Sequence, residues 1–130
     1  MSRTMTSVLY AALGGALGAS LRYGVNVTTL KLLGPQFPWG TMFVNVVGSF
    51  LMGVLIAFMA QAWTISQEMR IFLTTGVLGG FTTFSAFSLD FAALWERKEH
   101  GLAMAYAGGS VVLSLMAIFA GLWLARTVLQ

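Results

Sequence analysis

The sequence contains no cysteine and has very few charged side chains. The absence of cysteine excludes disulfide frameworks and thiolate metal sites. Only 8% of the 130 residues are charged, whereas a soluble domain has about 25%. Seven Lys/Arg and four Asp/Glu residues cannot give a globule of this size a wettable surface, and 58% of the chain is hydrophobic. These figures exclude a free-standing soluble enzyme and a disordered tail, and they indicate a membrane protein.

The ionisable residues are too few and too scattered for two further function classes. The net charge is +3, but the basic residues form no stripe that could follow a phosphate backbone, so no nucleic-acid partner is expected. The chain has one histidine, His100, and the only acidic residue within a predicted span is Asp90, with no paired carboxylate. An intramembrane enzyme lacks its acid–base groups here, and Asp90 is expected to cap or tether the third span.

Four uncharged stretches, at 4–21, 32–67, 71–89 and 101–125, predict four membrane spans, because a spanning helix needs roughly 20 mainly apolar residues. The second stretch contains the helix-breaking residues 34–38, which include both prolines. We predict one transmembrane domain, residues 1–130, with helices at about 5–30, 39–61, 70–95 and 101–126. The four tryptophans lie near the ends of these spans, as expected for an interfacial aromatic belt: Trp39, Trp63, Trp95 and Trp123.

The positive charges are divided almost evenly between the two ends of this bundle. With four spans, three fall on each side, namely Arg3, Arg70 and Arg126 against Lys31, Arg97 and Lys98, and Arg22 lies deeper in the first span. Orientation in a membrane is set by an imbalance of Lys and Arg between the sides. The near-even division favours insertion in both orientations, which would allow an antiparallel homodimer.

Small residues recur at intervals of four in the spans. The sets are Ser49, Gly53 and Ala57 in the second span and Ala117, Gly121 and Ala125 in the fourth. Such spacing lets helix backbones approach closely within lipid, so it predicts a compact bundle.

Polar residues align along two of the predicted helices. Thr41 and Asn45 share a face of the second, and Tyr106, Ser110 and Ser114 form a stripe along the fourth. A single Ser or Thr in a membrane helix usually bonds the carbonyl four residues earlier. Three aligned hydroxyls and an amide at mid-span instead favour a polar pathway without ionic groups.

The third span is interrupted by weak helix formers. Residues 74–88 contain three glycines within five positions, followed by two Thr and two Ser within seven. This composition predicts a broken helix, whose free carbonyl and amide groups can bind ions. Phe81, Phe84, Phe87 and Phe91 fall roughly on one face, and the electropositive edges of such rings can favour an anion.

Three segments in order, one in each of the first three spans, resemble a known family. They are GGALGASLRY at 14–23, GTMFVN at 40–45 and GGFTTFSAFS at 79–88. Over nearly its full length the chain is similar to the Fluc family of fluoride channels. One small departure is Ala86, at a position where threonine is common.

The resemblance implies an all-α membrane protein that forms an antiparallel dual-topology homodimer with two fluoride pores. It implies that Asn45 orients the phenyl rings and that each pore takes ring edges from Phe84 and Phe87, one from each subunit. It places Arg22 near the cytoplasmic vestibule. It assigns the backbone carbonyls of Gly79 and Thr82 to a structural sodium ion (Na⁺) at the dimer interface. The implied pore-lining residues are Thr41, Asn45, Phe84, Ser85, Phe87, Tyr106, Ser110 and Ser114.

Passive conduction suits such a lining. Fluoride is strongly hydrated, so a narrow route must replace its water with amide, hydroxyl and phenyl-edge donors, while fixed cations would trap it. A membrane potential that is negative inside drives the anion outward, so neither ATP nor a coupled proton is required. The expected location is the bacterial cytoplasmic (inner) membrane, with the fluoride ion, the lipid bilayer and a second copy as partners.

Two other classes fit the same four-helix pattern. A small multidrug-resistance-type transporter has similar length and dual topology, but it needs a membrane-embedded Glu in its first span, where this chain has no acid. A non-transporting assembly subunit would use the same packing faces without requiring the aligned Asn and hydroxyls.

Overall fold

The computed structural model describes residues 2–61 and 64–130, and its membrane-spanning parts are helical except for a short extended segment in the third span. The elements are α1 (Arg3–Leu33), α2 (Trp39–Gln61), α3 (Gln67–Ile71), a π-helical stretch π1 (Phe72–Leu78), α4 (Gly79–Phe81), α5 (Phe84–Glu96) and α6 (His100–Val128).

Four helical segments are long and apolar enough to cross a membrane: Arg3–Leu33, Trp39–Gln61, Gln67–Glu96 and His100–Val128. They agree with the predicted spans to within a few residues at each end, which confirms a multi-pass all-α architecture. Of the predicted aromatic belt, Trp39, Trp95 and Trp123 lie near helix ends and are exposed. Trp63 lies outside the described residues.

The helix ends follow from local chemistry. The Ser2 side chain accepts a hydrogen bond from the Met5 amide at 3.1 Å and so caps the start of α1. Gly34 stops α1 with φ of 82°, a left-handed conformation that a residue without Cβ adopts freely. The turn between α5 and α6 places Lys98 at φ of 66°, so a side-chain-bearing residue occupies a position that glycine would occupy without strain.

The bundle contains two main helix pairings. α1 packs against π1 and α4, whereas α2 and α6 pack along much of their lengths. The α2–α6 pair is close because Gly53 and Gly121 face each other's helix backbones: a Cβ at Gly121 would collide with the Phe50 carbonyl, and one at Gly53 with the Ile118 carbonyl. This confirms the close packing predicted from the small-residue spacing.

We expect Gly121→Ala to lower the thermal stability of the detergent-solubilised protein. The added methyl group meets backbone rather than a mobile side chain, so the two helices must separate, at about 1–3 kcal/mol. Thermal unfolding followed by circular dichroism measures the effect. Gly108→Ala in the same helix is the matched control, because its Cβ would meet nothing within 4 Å. Equal melting temperatures for the two variants would contradict the assigned α2–α6 contact.

The third span departs from α-helical geometry at two places. It passes from α3 through π1 to α4, and then Thr82 and Thr83 take extended backbone angles (φ −88°, ψ 159° and φ −155°, ψ 123°) before α5 begins. The extended pair lies after the glycines rather than among them. Across it the predicted common face of phenylalanines is lost, since Phe81 is buried and Phe84 is 71% exposed.

Candidate functional site

Asn45 of α2 holds the extended segment of the third span. Its Nδ2 donates to the Thr83 carbonyl at 2.9 Å, and its Oδ1 accepts from the Thr83 amide at 2.7 Å. One side-chain amide thus satisfies both backbone groups of a residue that has left the helical pattern. At membrane depth these groups would otherwise be unpaired, so Asn45 stabilises the interruption.

The same interruption releases two carbonyls, those of Gly79 and Thr82. In a continuous helix they would accept from the amides four residues later, at Thr83 and Ala86. Those amides donate elsewhere, to Asn45 Oδ1 at 2.7 Å and to the Thr83 hydroxyl at 3.1 Å. Both carbonyl oxygens therefore lack the helical hydrogen bond from four residues later, and oxygen is the ligand that a hard cation prefers. The residues fit the predicted sodium site in this respect.

A groove of about 340 Å³ opens beside the interruption. It lies between α2, the start of α5 and the middle of α6, and we call it the central groove. Of the described residues that line it, none is charged. Its polar and aromatic lining includes Asn45, Ser49, Thr83, Phe84, Phe87, Ser110 and Ser114.

Ser110 presents an unsatisfied hydroxyl in this groove. The residue is 4% exposed, and its Oγ is the buried side-chain atom without a hydrogen-bond partner among the described residues. Many other Ser and Thr hydroxyls in the spans bond the carbonyl four residues earlier, as Ser20, Thr28 and Ser88 do. A buried hydroxyl without a partner is costly, so Ser110 is available to a ligand that accepts a hydrogen bond.

Tyr106 contacts one residue that lines the central groove and one that lines a second cavity of about 330 Å³, which we call the end cavity. Its ring is fully buried and lies 5.2 Å from that of Phe87 in the central groove. Its hydroxyl donates to Asp90 Oδ2 at 3.1 Å and lies close to Thr41, and both of these residues line the end cavity. The tyrosine therefore links the linings of the two cavities through its side-chain contacts.

Arg22 is bonded to the third span. Its Nε donates to the Gly80 carbonyl at 2.9 Å, at the end of α4 next to the interruption. A cation is favourable at a helix C-terminus, where unpaired carbonyls carry partial negative charge. Arg22 therefore stabilises the interrupted segment and also places a positive charge near it.

The comparisons with known proteins agree with this architecture. A sequence model of the family described as CrcB-like protein, Camphor Resistance (CrcB), matches residues 9–122. The chain belongs to this CrcB-like family. Curated relatives named fluoride-specific ion channel FluC share 58% identity over 118 residues in Cereibacter sphaeroides (91% of this chain, 93% of the relative) and 55% over 122 residues in Rhizobium meliloti (94% and 98%). A relative of the same name in Mesorhizobium japonicum is 52% identical over 123 residues (95% and 98%).

These relatives confirm the family inferred from the three motifs, and they are named as channels rather than enzymes. Among the predicted site residues of this CrcB-like chain, the structure brings five together in the central groove: Asn45, Phe84, Phe87, Ser110 and Ser114. Thr41 lines the end cavity, and Tyr106 lines neither cavity but contacts Phe87 of the central groove and Asp90 of the end cavity. Ser85 is exposed beside Thr83, with the two hydroxyl oxygens 3.4 Å apart, and does not line either cavity.

Sequence reasoning missed three contributors to this site. Thr83 was seen only as part of a Ser/Thr cluster, although its backbone and hydroxyl organise the interruption. Asp90, expected only to cap or tether the third span, accepts a hydrogen bond from Tyr106 of α6, a partner that its position two residues after the motif at 79–88 did not reveal. Phe37 lies in the loop between α1 and α2 and packs on Tyr106. The spacing along one helix carries no signal for contacts of this kind.

Proposed function

We propose that this chain is a fluoride-selective passive anion channel of the bacterial cytoplasmic membrane. The observation that carries the proposal is the uncharged central groove, in which the Ser110 hydroxyl is buried without a partner beside Phe84 and Phe87. The names of relatives at 50–58% identity support fluoride as the ion.

The groove suits an anion that must shed water and still leave again. The Ser110 hydroxyl and the electropositive edges of Phe84 and Phe87 replace lost hydration, and the lining provides no fixed cation that would hold the ion. Asn45 holds Thr83, and α5, which carries Phe84 and Phe87, starts at the next residue. Asn45 therefore orients the phenyl rings by fixing the start of their helix.

We propose that two copies assemble in antiparallel orientation and complete two such pores. The groove is open on one side, and the Phe84 ring is 71% exposed, which suits cover by a second protomer. In this assembly the carbonyls of Gly79 and Thr82 from each copy would hold a structural sodium ion. Arg22 lies near the vestibule, and Ser85 takes part through the contact between copies. Thr41, Tyr106 and Ser114 continue the route along α2 and α6.

The driving force is the membrane potential. It is negative inside and expels a monovalent anion with about 2.3 kcal/mol per 100 mV. Neutral hydrogen fluoride enters and ionises inside, so a passive route lowers internal fluoride without ATP. A small multidrug-resistance-type mechanism is not favoured, because α1 contains no Asp or Glu that could couple protons.

Purified protein in liposomes loaded with potassium fluoride is expected to release fluoride when valinomycin opens a potassium path. A fluoride electrode records the release. Liposomes loaded with potassium chloride and read with a chloride electrode are expected to release no more than protein-free vesicles. Equal rates for the two halides would overturn selectivity, and fluoride release that stayed at the protein-free level would overturn the channel function.

A further inference from the structure

The loop of residues 34–38 between α1 and α2 contributes one side chain to the interior of the bundle. Phe37 is half-buried and packs against the core cluster of Leu94, Ala103 and Tyr106. Its neighbours Pro35 and Gln36 are exposed. The loop therefore supplies part of the wall around the buried tyrosine as well as connecting two spans.

The contact between Phe37 and Tyr106 has a defined geometry. The ring centroids are 5.5 Å apart and the ring planes are perpendicular, an edge-to-face pair. On another side Tyr106 meets Phe87, with centroids 5.2 Å apart. The tyrosine ring is thus held between two aromatic rings, one from the loop and one from α5. Because edge-to-face pairs resist rotation away from this angle, Phe37 helps to fix the direction of the Tyr106 hydroxyl.

Arg97 fixes the loop that carries Phe37. Its Nη2 donates to the Gln36 carbonyl at 3.2 Å and forms an ion pair with Glu99 at 2.7 Å. The accepting carbonyl belongs to the residue immediately before Phe37. The guanidinium therefore ties the loop to the turn between α5 and α6.

We propose that Phe37 is a positioning residue for Tyr106 and that Arg97 holds the loop in the conformation this requires. Without the Phe37 ring, the tyrosine reorients, and its hydroxyl no longer lies where Asp90, Thr41 and an ion on the route meet it. This inference rests on the proposed channel function, and it assigns to the loop between α1 and α2 a control over conduction from outside the groove.

Phe37→Leu is expected to lower the initial rate of fluoride release from liposomes roughly 2- to 13-fold, the range that corresponds to loss of one edge-to-face pair. Phe37→Tyr keeps the ring and is expected to restore a rate near that of the wild type. Phe43→Leu is the matched control, because Phe43 is 49% exposed on α2 and has no ring contact within the described residues. Melting temperatures of all variants are measured in parallel.

A second background separates positioning from loss of stability. Tyr106→Phe removes the hydroxyl and keeps the ring, so Phe37→Leu in that background has no hydroxyl left to misplace. The rate is then expected to change less than about twofold between Tyr106→Phe and the double variant, because coupled residues are not additive. If Phe37→Leu lowers the rate of fluoride release by the same factor with and without the Tyr106 hydroxyl, the positioning role is overturned.

Arg97→Gln is expected to lower the rate by a smaller factor than Phe37→Leu, because its bond to the loop is exposed. Lys98→Gln is the control with the same change in charge and no side-chain hydrogen bond to the loop among the described residues, and it is expected to conduct like the wild type. Equal rates for Arg97→Gln and Lys98→Gln would overturn the anchoring role.

The outcomes for this inference and for the channel function differ. If the wild type and Phe37→Leu release fluoride at the same rate, this inference alone is overturned. If the wild type releases no fluoride, the channel function is overturned and the inference with it.

Discussion

An Asn45→Asp variant is expected to release no measurable fluoride from liposomes. The amide makes two bonds of opposite direction to Thr83, donating to the carbonyl and accepting from the amide. A carboxylate can accept from the Thr83 amide, but it cannot donate to the Thr83 carbonyl. The substitution therefore turns one hydrogen bond into a repulsive contact between two oxygens, in a half-buried position where an unpaired group costs about 1–3 kcal/mol.

The introduced charge adds a second and larger effect. A unit charge 4 Å from a passing anion repels it by about 4 kcal/mol at an effective dielectric constant near 20. That energy corresponds to about a thousandfold in rate. Because none of the described residues lining the central groove is charged, nothing there compensates the new carboxylate.

Asn45→Ala separates the two effects, because it removes both hydrogen bonds without adding charge. Its rate is expected to lie between those of the wild type and Asn45→Asp. Size-exclusion chromatography and thermal unfolding of both variants establish that folded protein entered the liposomes. Fluoride release by Asn45→Asp at the rate of Asn45→Ala would show that charge in the groove does not impede the ion.

The membrane architecture could be predicted from composition, because lipid imposes strong constraints on sequence. Charged residues bracket the uncharged stretches, and Gly34 with the two nearby prolines separates the first two helices, although the first helix runs to Leu33 rather than to about residue 30 as predicted. The small residues around Gly53 and Gly121 also meet as their spacing predicts, since backbone approach requires the absence of a Cβ. These signals are local and recur within one or two helices.

The organisation of the site depends on contacts between distant residues, and sequence spacing carries little information about them. Asn45 and Thr83 are separated by 38 positions, and Arg22 and Gly80 by 58. Each pair contains one residue that the sequence marked as polar or charged within a span, but the partner is a backbone group. The motif at 79–88 predicted an interruption of the helix but not its exact position. The interruption falls at Thr82 and Thr83 because α2 places the side-chain amide of Asn45 where it can bond both backbone groups of Thr83.

Phe84→Ile and Phe87→Ile are each expected to reduce fluoride release to the level of protein-free vesicles. Isoleucine keeps an apolar side chain but has no aromatic ring, so it lacks the electropositive edge that we propose meets the ion. A desolvated contact between a cation and a ring face is worth about 2 kcal/mol. If the contact between fluoride and a ring edge has the same strength, the loss of one such contact lowers the rate of fluoride release roughly thirtyfold. Loss of ring order along the route adds to this, because Phe84 and Phe87 lie 5.5 Å apart and Phe87 also contacts Tyr106.

Phe84→Ile is the more informative of the two variants, since its ring is 71% exposed in the protomer and its removal costs little packing within one chain. Phe119→Ile is the matched control, because Phe119 is 68% exposed on α6 and does not line the central groove. If Phe84 served only to cover apolar surface, both substitutions would leave the rate equal to that of the wild type. If only Phe84→Ile loses fluoride release and its elution on size exclusion is unchanged, the Phe84 ring itself takes part in conduction. This conclusion holds whether the ring faces the groove of its own protomer or that of the second copy.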